Sequence, residues 1–249
     1  MKLLLLGLLS AIATSMAVGC APRGLKAYGK YNLGAAEPIV ASAIESSGGL
    51  AAWRKLGQVR AVALMTVYDR KDQAYLNRQE HKIDMNRGRL SIEAITAKGT
   101  WRATYRRGGG FSLTGSDALE GMTPSQLRQA MRILLHRLSG PMNLLRKSET
   151  PGHVEHLTLD GKDLVKVSVT GPQPRPTAYY FDSKGGGLQM VSDGPEQPSQ
   201  GGTVTIYSYQ ILPGGLVFPK KLTVVRTGDH VLVGRSKVME VQYSDVQVN

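Results

Sequence analysis

From position 59 to position 114 apolar and polar side chains alternate in short runs, and a chain patterned this way covers a core on one face only as β-strands. The runs are 59–68, 73–85, 89–96, 101–105 and 110–114. Between them stand Asp69-Arg70-Lys71-Asp72, Asn86-Arg87-Gly88, Lys98-Gly99 and Gly108-Gly109, residue types that accept tight bends. Consecutive strands joined by such turns form an antiparallel meander. The same pattern resumes at 153–159, turns on Asp160-Gly161, and continues through 162–170, 177–182, 188–192, 203–212, 216–226 and 230–248.

Helical spacing occurs in two places only. At 37–56, Ile39, Val40, Ala43 and Ile44 recur with helical period; Gly48-Gly49 breaks the run, and Leu50, Ala51, Trp53 and Leu56 resume it. At 123–138, Thr123-Pro124-Ser125-Gln126 forms a capping box with proline at the first helical position. Leu127, Ala130, Met131, Leu134, Leu135 and Leu138 then mark one stripe, and Gly140-Pro141 ends it before Met142, Leu144 and Leu145. So many short strands with one helical insertion predict a mainly β fold: a single curved antiparallel sheet, or open half-barrel, with helices covering its concave face.

The N-terminus carries a different message. Lys2, the apolar stretch 3–13 and the small residues up to Gly19 have the three parts of a secretory signal, and the apolar stretch is too short to span a bilayer. The sole cysteine, Cys20, follows Ala17-Val18-Gly19 directly. An ordinary small-residue cleavage site would leave that thiol free; the placement of the only cysteine there favours a lipoprotein signal at 1–19, with lipid attached to Cys20. Residues 20–36, with Gly24, Gly29 and Gly34 and no clear period, read as a flexible tether to a domain at 37–249. With no second cysteine, packing alone must hold the fold. Ala21, rather than aspartate, after the cysteine points to the periplasmic face of the outer membrane.

The net charge is +12, and only Lys2 of the basic residues belongs to the leader. For an exported, anchored chain such a balance points to anionic headgroups or cell-wall polymer rather than nucleic acid; a solvated basic face without a partner is the alternative. A monomer is expected. Catalytic motifs are missing from the sequence. His153-Val154-Glu155-His156 does not converge on one strand face, Gly108-Gly109-Gly110 and Gly185-Gly186-Gly187 lack a phosphate-loop context, and no Gly-x-Ser-x-Gly elbow occurs. No enzyme activity, metal or cofactor is expected.

Ser47-Gly48-Gly49-Leu50-Ala51-Ala52-Trp53-Arg54-Lys55-Leu56 entering a strand at Val59, Tyr207-Ser208-Tyr209, the hairpin to Leu216-Val217-Phe218-Pro219-Lys220 and the closing strand 241–248 together resemble the LolA/LolB-like superfamily of outer-membrane lipoprotein-sorting proteins. The resemblance implies an incomplete barrel whose open mouth is plugged by helices and whose apolar concavity shelters acyl chains, in a carrier or receptor. Receptor-type members also use an exposed apolar loop, for which Leu119 in Asp117-Ala118-Leu119-Glu120 is a candidate, although an ordinary loop residue packing back onto the sheet is the favoured reading of it. The residues give such a cavity inward walls at Leu64, Leu90, Ile92, Trp101, Tyr105, Met190, Ile206 and Val224. Its lid would be Leu127, Met131, Leu134, Leu135, Leu138 and Met142. The alternative is an envelope structural or interaction lipoprotein, with a solidly packed interior and a basic surface that grips an anionic polymer.

Overall fold

A computed structural model describes residues 31–68, 71–146, 149–171, 177–193, 202–226 and 237–249. The expected signal peptide, Cys20 and the tether up to position 30 lie outside these residues, as does the polar stretch 194–201. Of the remaining tether, Leu33 and Ala36 are buried in the core, and the 3₁₀ turn Gly34–Ala36 packs against the edge of the sheet. The folded region therefore takes in residues before Glu37.

Twelve strands make one antiparallel sheet: β1 Gln58–Tyr68, β2 Ala74–Asp84, β3 Arg89–Thr96, β4 Gly99–Arg106, β5 Phe111–Thr114, β6 Thr150–Leu159, β7 Lys162–Thr170, β8 Thr177–Asp182, β9 Leu188–Asp193, β10 Thr203–Ile211, β11 Val217–Arg226 and β12 Lys237–Val248. Their spatial order is β5-β4-β3-β2-β1-β12-β11-β10-β9-β8-β7-β6. Every neighbour is a chain neighbour except β1 and β12, which meet at the centre, and the edges β5 and β6 do not pair, so the sheet curves without closing.

Two short helices precede the sheet, α1 Glu37–Ser46 and α2 Leu50–Lys55. Gly48 between them has φ +105°, and a Cβ there would stand 2.8 Å from the Gly215 carbonyl oxygen, so only glycine fits the break. Trp53 Nε1 donates to Ser47 O at 3.1 Å and locks α2 back on the turn. The long helix α3, Pro124–Leu138, is inserted where the chain leaves edge β5 for edge β6. That topology obliges it to cross the sheet. Its start is the capping box read in the sequence: Thr123 Oγ1 accepts from Gln126 N–H at 3.3 Å, and Thr123 N–H donates to Gln126 Oε1 at 2.7 Å. A 3₁₀ segment, Gly140–Leu145, follows it and packs on α1.

The main core joins all three helices to the concave face. Across β1 to β4 this face is built in rows, such as Ala61, His81, Ile92 and Ala103, or Ala63, Gln79, Ala94 and Trp101. Alanines opposite larger side chains leave depth for α3. A second, smaller cluster on the other face gathers Leu164, Ala178, Tyr180, Met190 and Val204.

Candidate functional site

Between α3 and the concave face lies a hollow of about 1130 Å³. This is somewhat above the ~300–1,000 Å³ usual for small-ligand sites. The sheet contributes Met65, Val67 and Tyr68 of β1, Tyr105 of β4, and Val238 and Met239 of β12; the helix side contributes Met122, Ala130 and Ile133. Lys71, Arg128, Arg132 and Arg226 add four cationic side chains, and among the described residues no carboxylate lines the space. Arg128 Nη2 donates to Gly109 O at 3.2 Å, tying the first half of α3 to the β4–β5 turn. Gly121, also in the lining, has φ +71°, and a Cβ there would meet the Tyr75 ring at 2.7 Å.

The apolar stripe of α3 points elsewhere. Leu127, Met131, Leu134, Leu135 and Leu138 are buried in the core, and it is the adjoining flank, from Gln126 through Gln129, Ala130 and Ile133, that borders the hollow. A helix packed on a sheet spends its most apolar stripe on the packing, so a second face must supply any cavity wall. Of the expected walls, Tyr105 borders the hollow, while Leu90, Ile92, Trp101 and Val224 are buried core residues. Three others face the wrong way. Leu64 is 46% exposed and Ile206 40%, because Ala61, Ala63 and Met65 hold the inward positions of β1, and Thr205 and Tyr207 those of β10. Met190 pairs with Ile206 and Tyr180 across the strands and belongs to the outer cluster. Met142 lines a separate small pocket. Leu119 packs partly buried against the core and is not an exposed loop tip.

Behind Met65 the concave face carries a buried polar ladder. Gln79 Nε2 donates to Asn77 Oδ1 at 2.6 Å and lies 3.0 Å from Met65 Sδ; His81 bonds Gln79 Oε1 through Nε2 (2.6 Å) and Tyr243 Oη through Nδ1 (3.1 Å). Since the Gln79 oxygen only accepts, Nε2 carries a proton, whereas the Tyr243 hydroxyl can serve Nδ1 as donor or acceptor. Burial decides for the neutral ring, lowering the pKa of His81 to about 3.

A further titratable group lies at the C-terminal end of α3. Arg137, 2% exposed, forms an ion pair with Asp193 and donates to Thr205 Oγ1 at 3.1 Å. His136 Nε2 and Tyr179 Oη share the Glu149 carboxylate at 2.9 and 3.2 Å. Burial holds the His136 imidazole below its ordinary pKa and the Tyr179 phenol well above its own. Each member is held by another, so the group fastens α3 to β8, β9 and β10. His153, Glu155 and His156 lie exposed on edge strand β6, with Glu155 paired to Lys166 Nζ at 3.2 Å.

No family model and no curated protein matches the sequence. Among solved structures the chain is similar to the LolA superfamily protein NE2245 from Nitrosomonas europaea, with 12% identity and a TM-score of 0.49 over 86% of this chain and 93% of that one. It is similar to a putative outer membrane lipoprotein-sorting protein domain from Vibrio parahaemolyticus, with 10% identity and a TM-score of 0.43 over 83% and 93%. MucB in complex with MucA(peri) aligns at 10% identity with a TM-score of 0.24, over 85% and 94%. Neighbours at these identities carry nothing about ligand or activity, for which the lining of the hollow is the source.

Proposed function

We propose that this protein is an envelope lipoprotein, anchored through Cys20 at the periplasmic face of the outer membrane, that holds the acyl part of an anionic lipid or lipoprotein. The hollow under α3 is the binding place. One observation carries this reading: a hollow of about 1130 Å³ with methionine, valine, isoleucine and tyrosine walls, four cationic side chains and no carboxylate in its described lining. Each methylene moved from water into such walls gains about 0.8 kcal/mol, so a fatty tail is bound by length alone, without directed chemistry. The cations supply the complement for an acidic headgroup. A tether on Cys20 would keep the site near the bilayer, which suits a carrier or receptor in outer-membrane sorting. The protein's part in this reading is to hold and hand over, with no catalytic step, metal or cofactor.

The test is displacement of a fluorescent fatty-acid analogue. Ala130→Trp fills the hollow and Ile133→Glu places a charge in it. Each should weaken binding about tenfold or more, since a carboxylate at 133 competes with the ligand's own acid group for the lining cations, and losing two or more methylene contacts exceeds about 1.4 kcal/mol. Leu64→Glu, on the opposite face, should leave binding unchanged. Equal binding by all three variants would contradict the assignment and favour a filled interior with a basic outer surface.

A further inference from the structure

A second pocket, of about 210 Å³, lies where α2, the β2–β3 turn, the β4–β5 turn and the 3₁₀ segment after α3 meet. It is separate in its lining from the hollow, and it brings together three arginines, Arg54, Arg107 and Arg146, with no carboxylate among the described residues of its lining. Each is fixed from a different element. The backbone N–H of Arg107 donates to Gly88 O at 2.8 Å, and its side chain lies along Gly88 so closely that a Cβ there would stand 2.9 Å from Arg107 Cβ and 3.1 Å from Cζ. Arg146 Nη2 donates to the buried Ser139 Oγ at 3.2 Å, and Arg54 Nη2 to Tyr31 Oη at 3.0 Å.

The neutral polar groups of the pocket are occupied by the backbone. Ser139 Oγ donates to Leu135 O at 3.0 Å, and Asn86 Nδ2 to Leu56 O at 2.7 Å, so they set the walls and leave the guanidinium groups as the polar surface toward a ligand. Like charges gathered this way repel. Arg146 falls to about 10, first through burial and then through the charge of Arg107. Glu149 offsets part of the charge of Arg107 and Arg146 from outside the pocket, its carboxylate oxygens being taken by His136 Nε2 and Tyr179 Oη. Cations converging on a small space with no acid in its described lining are the arrangement that a doubly charged tetrahedral anion satisfies, because guanidinium groups bind its oxygens in pairs.

We propose that this pocket is a phosphoryl-binding site in which Arg107 and Arg146 hold a phosphate or phosphomonoester and Arg54 closes the third side. The proposal does not rest on the acyl-binding reading, since it concerns other residues and a ligand without a tail. The same chemistry is offered by a free phosphoryl compound and by the headgroup of an anionic phospholipid.

Inorganic phosphate is titrated into the full chain at constant ionic strength, with chloride as the compensating salt. Saturable binding is expected, with a rise in melting temperature of about 3 °C near tenfold excess over Kd. Arg107→Gln and Arg146→Gln should each weaken it about tenfold or more. Arg107→Gln should also leave the melting temperature without phosphate unchanged or higher, because it removes a like charge; a merely structural arginine would lower it. Vesicles of phosphatidylcholine with and without phosphatidic acid then separate the sources. Acid-dependent binding that phosphate competes away and both variants lose assigns the site to a headgroup. Phosphate binding without such vesicle binding assigns it to a free phosphoryl compound. Absence of phosphate binding beyond chloride, or binding equal in wild type and both variants, overturns the proposal.

Discussion

In an unfolded chain His81 takes up a proton near pH 6.5, as histidines about this value do; enclosed between Gln79 and Tyr243 it resists protonation down to about 3. Between those values the unfolded state binds more protons than the folded one. Stability is therefore full above the unfolded pKa and declines as pH falls toward 3, at about 1.4 kcal/mol per pH unit. Urea unfolding at pH 7.5 and 4.5 should show a loss of roughly 2–3 kcal/mol from this group, and His81→Gln should flatten the difference. Burial shifts His136 in the same direction, so some slope should persist. An unchanged slope in the variant would show that His81 is not the group concerned. The ladder that holds His81 was partly legible in the residues of β2: neutral Asn77, Gln79 and His81 alternate with charged Arg78, Glu80 and Lys82. That is a period-two signal, but it is written in charge rather than in apolarity. Arg137 left no such mark, since a lone arginine next to a helix's apolar stripe does not announce a buried partner 56 residues ahead.

Among the elements, α3 was the most legible, because a cap, a proline and a stripe each act over a few residues. Thr123→Ala should cost about 1 kcal/mol and lower amide-exchange protection in the first turn of the helix. Protection equal to wild type there would mean that packing, and not the cap, sets the helix start. The strands were legible in position but not always in face. In β1, Val62, Leu64 and Thr66 offer a bulkier alternating set than Ala61, Ala63 and Met65, yet the smaller set faces inward where α3 needs room. In β9 and β10, Met190 and Ile206 stand opposite each other and share the outer face with Tyr180. Faces are decided by what the strand packs against, which period alone does not reveal.

At the scale of the whole molecule, the sheet is two meanders joined at β1 and β12, with the helical crossing between its free edges. The join is fastened on one face by Glu240, which takes Lys221 Nζ at 2.8 Å, Lys237 Nζ at 3.0 Å and Tyr68 Oη at 2.9 Å; its carboxyl falls to about 2, chiefly through Lys221. Beside the same join, Met65, Val67, Tyr68 and Met239 border the hollow, Tyr68 at the strand end serving both. An unclosed sheet with a helix laid across it was foreseeable from strand count and a single helical insertion. The location of the hollow was not, because it depends on which flank of α3 stands clear of the core.

The most direct measurement is photocrosslinking in the growing cell, with benzoylphenylalanine placed at Ile133 in the hollow or at Leu64 on the opposite face. Irradiation should give an adduct of lipid mass at position 133 and none at position 64, and Ala130→Trp should abolish it. No lipid adduct at position 133, or adducts equal at both positions, would contradict acyl binding under α3.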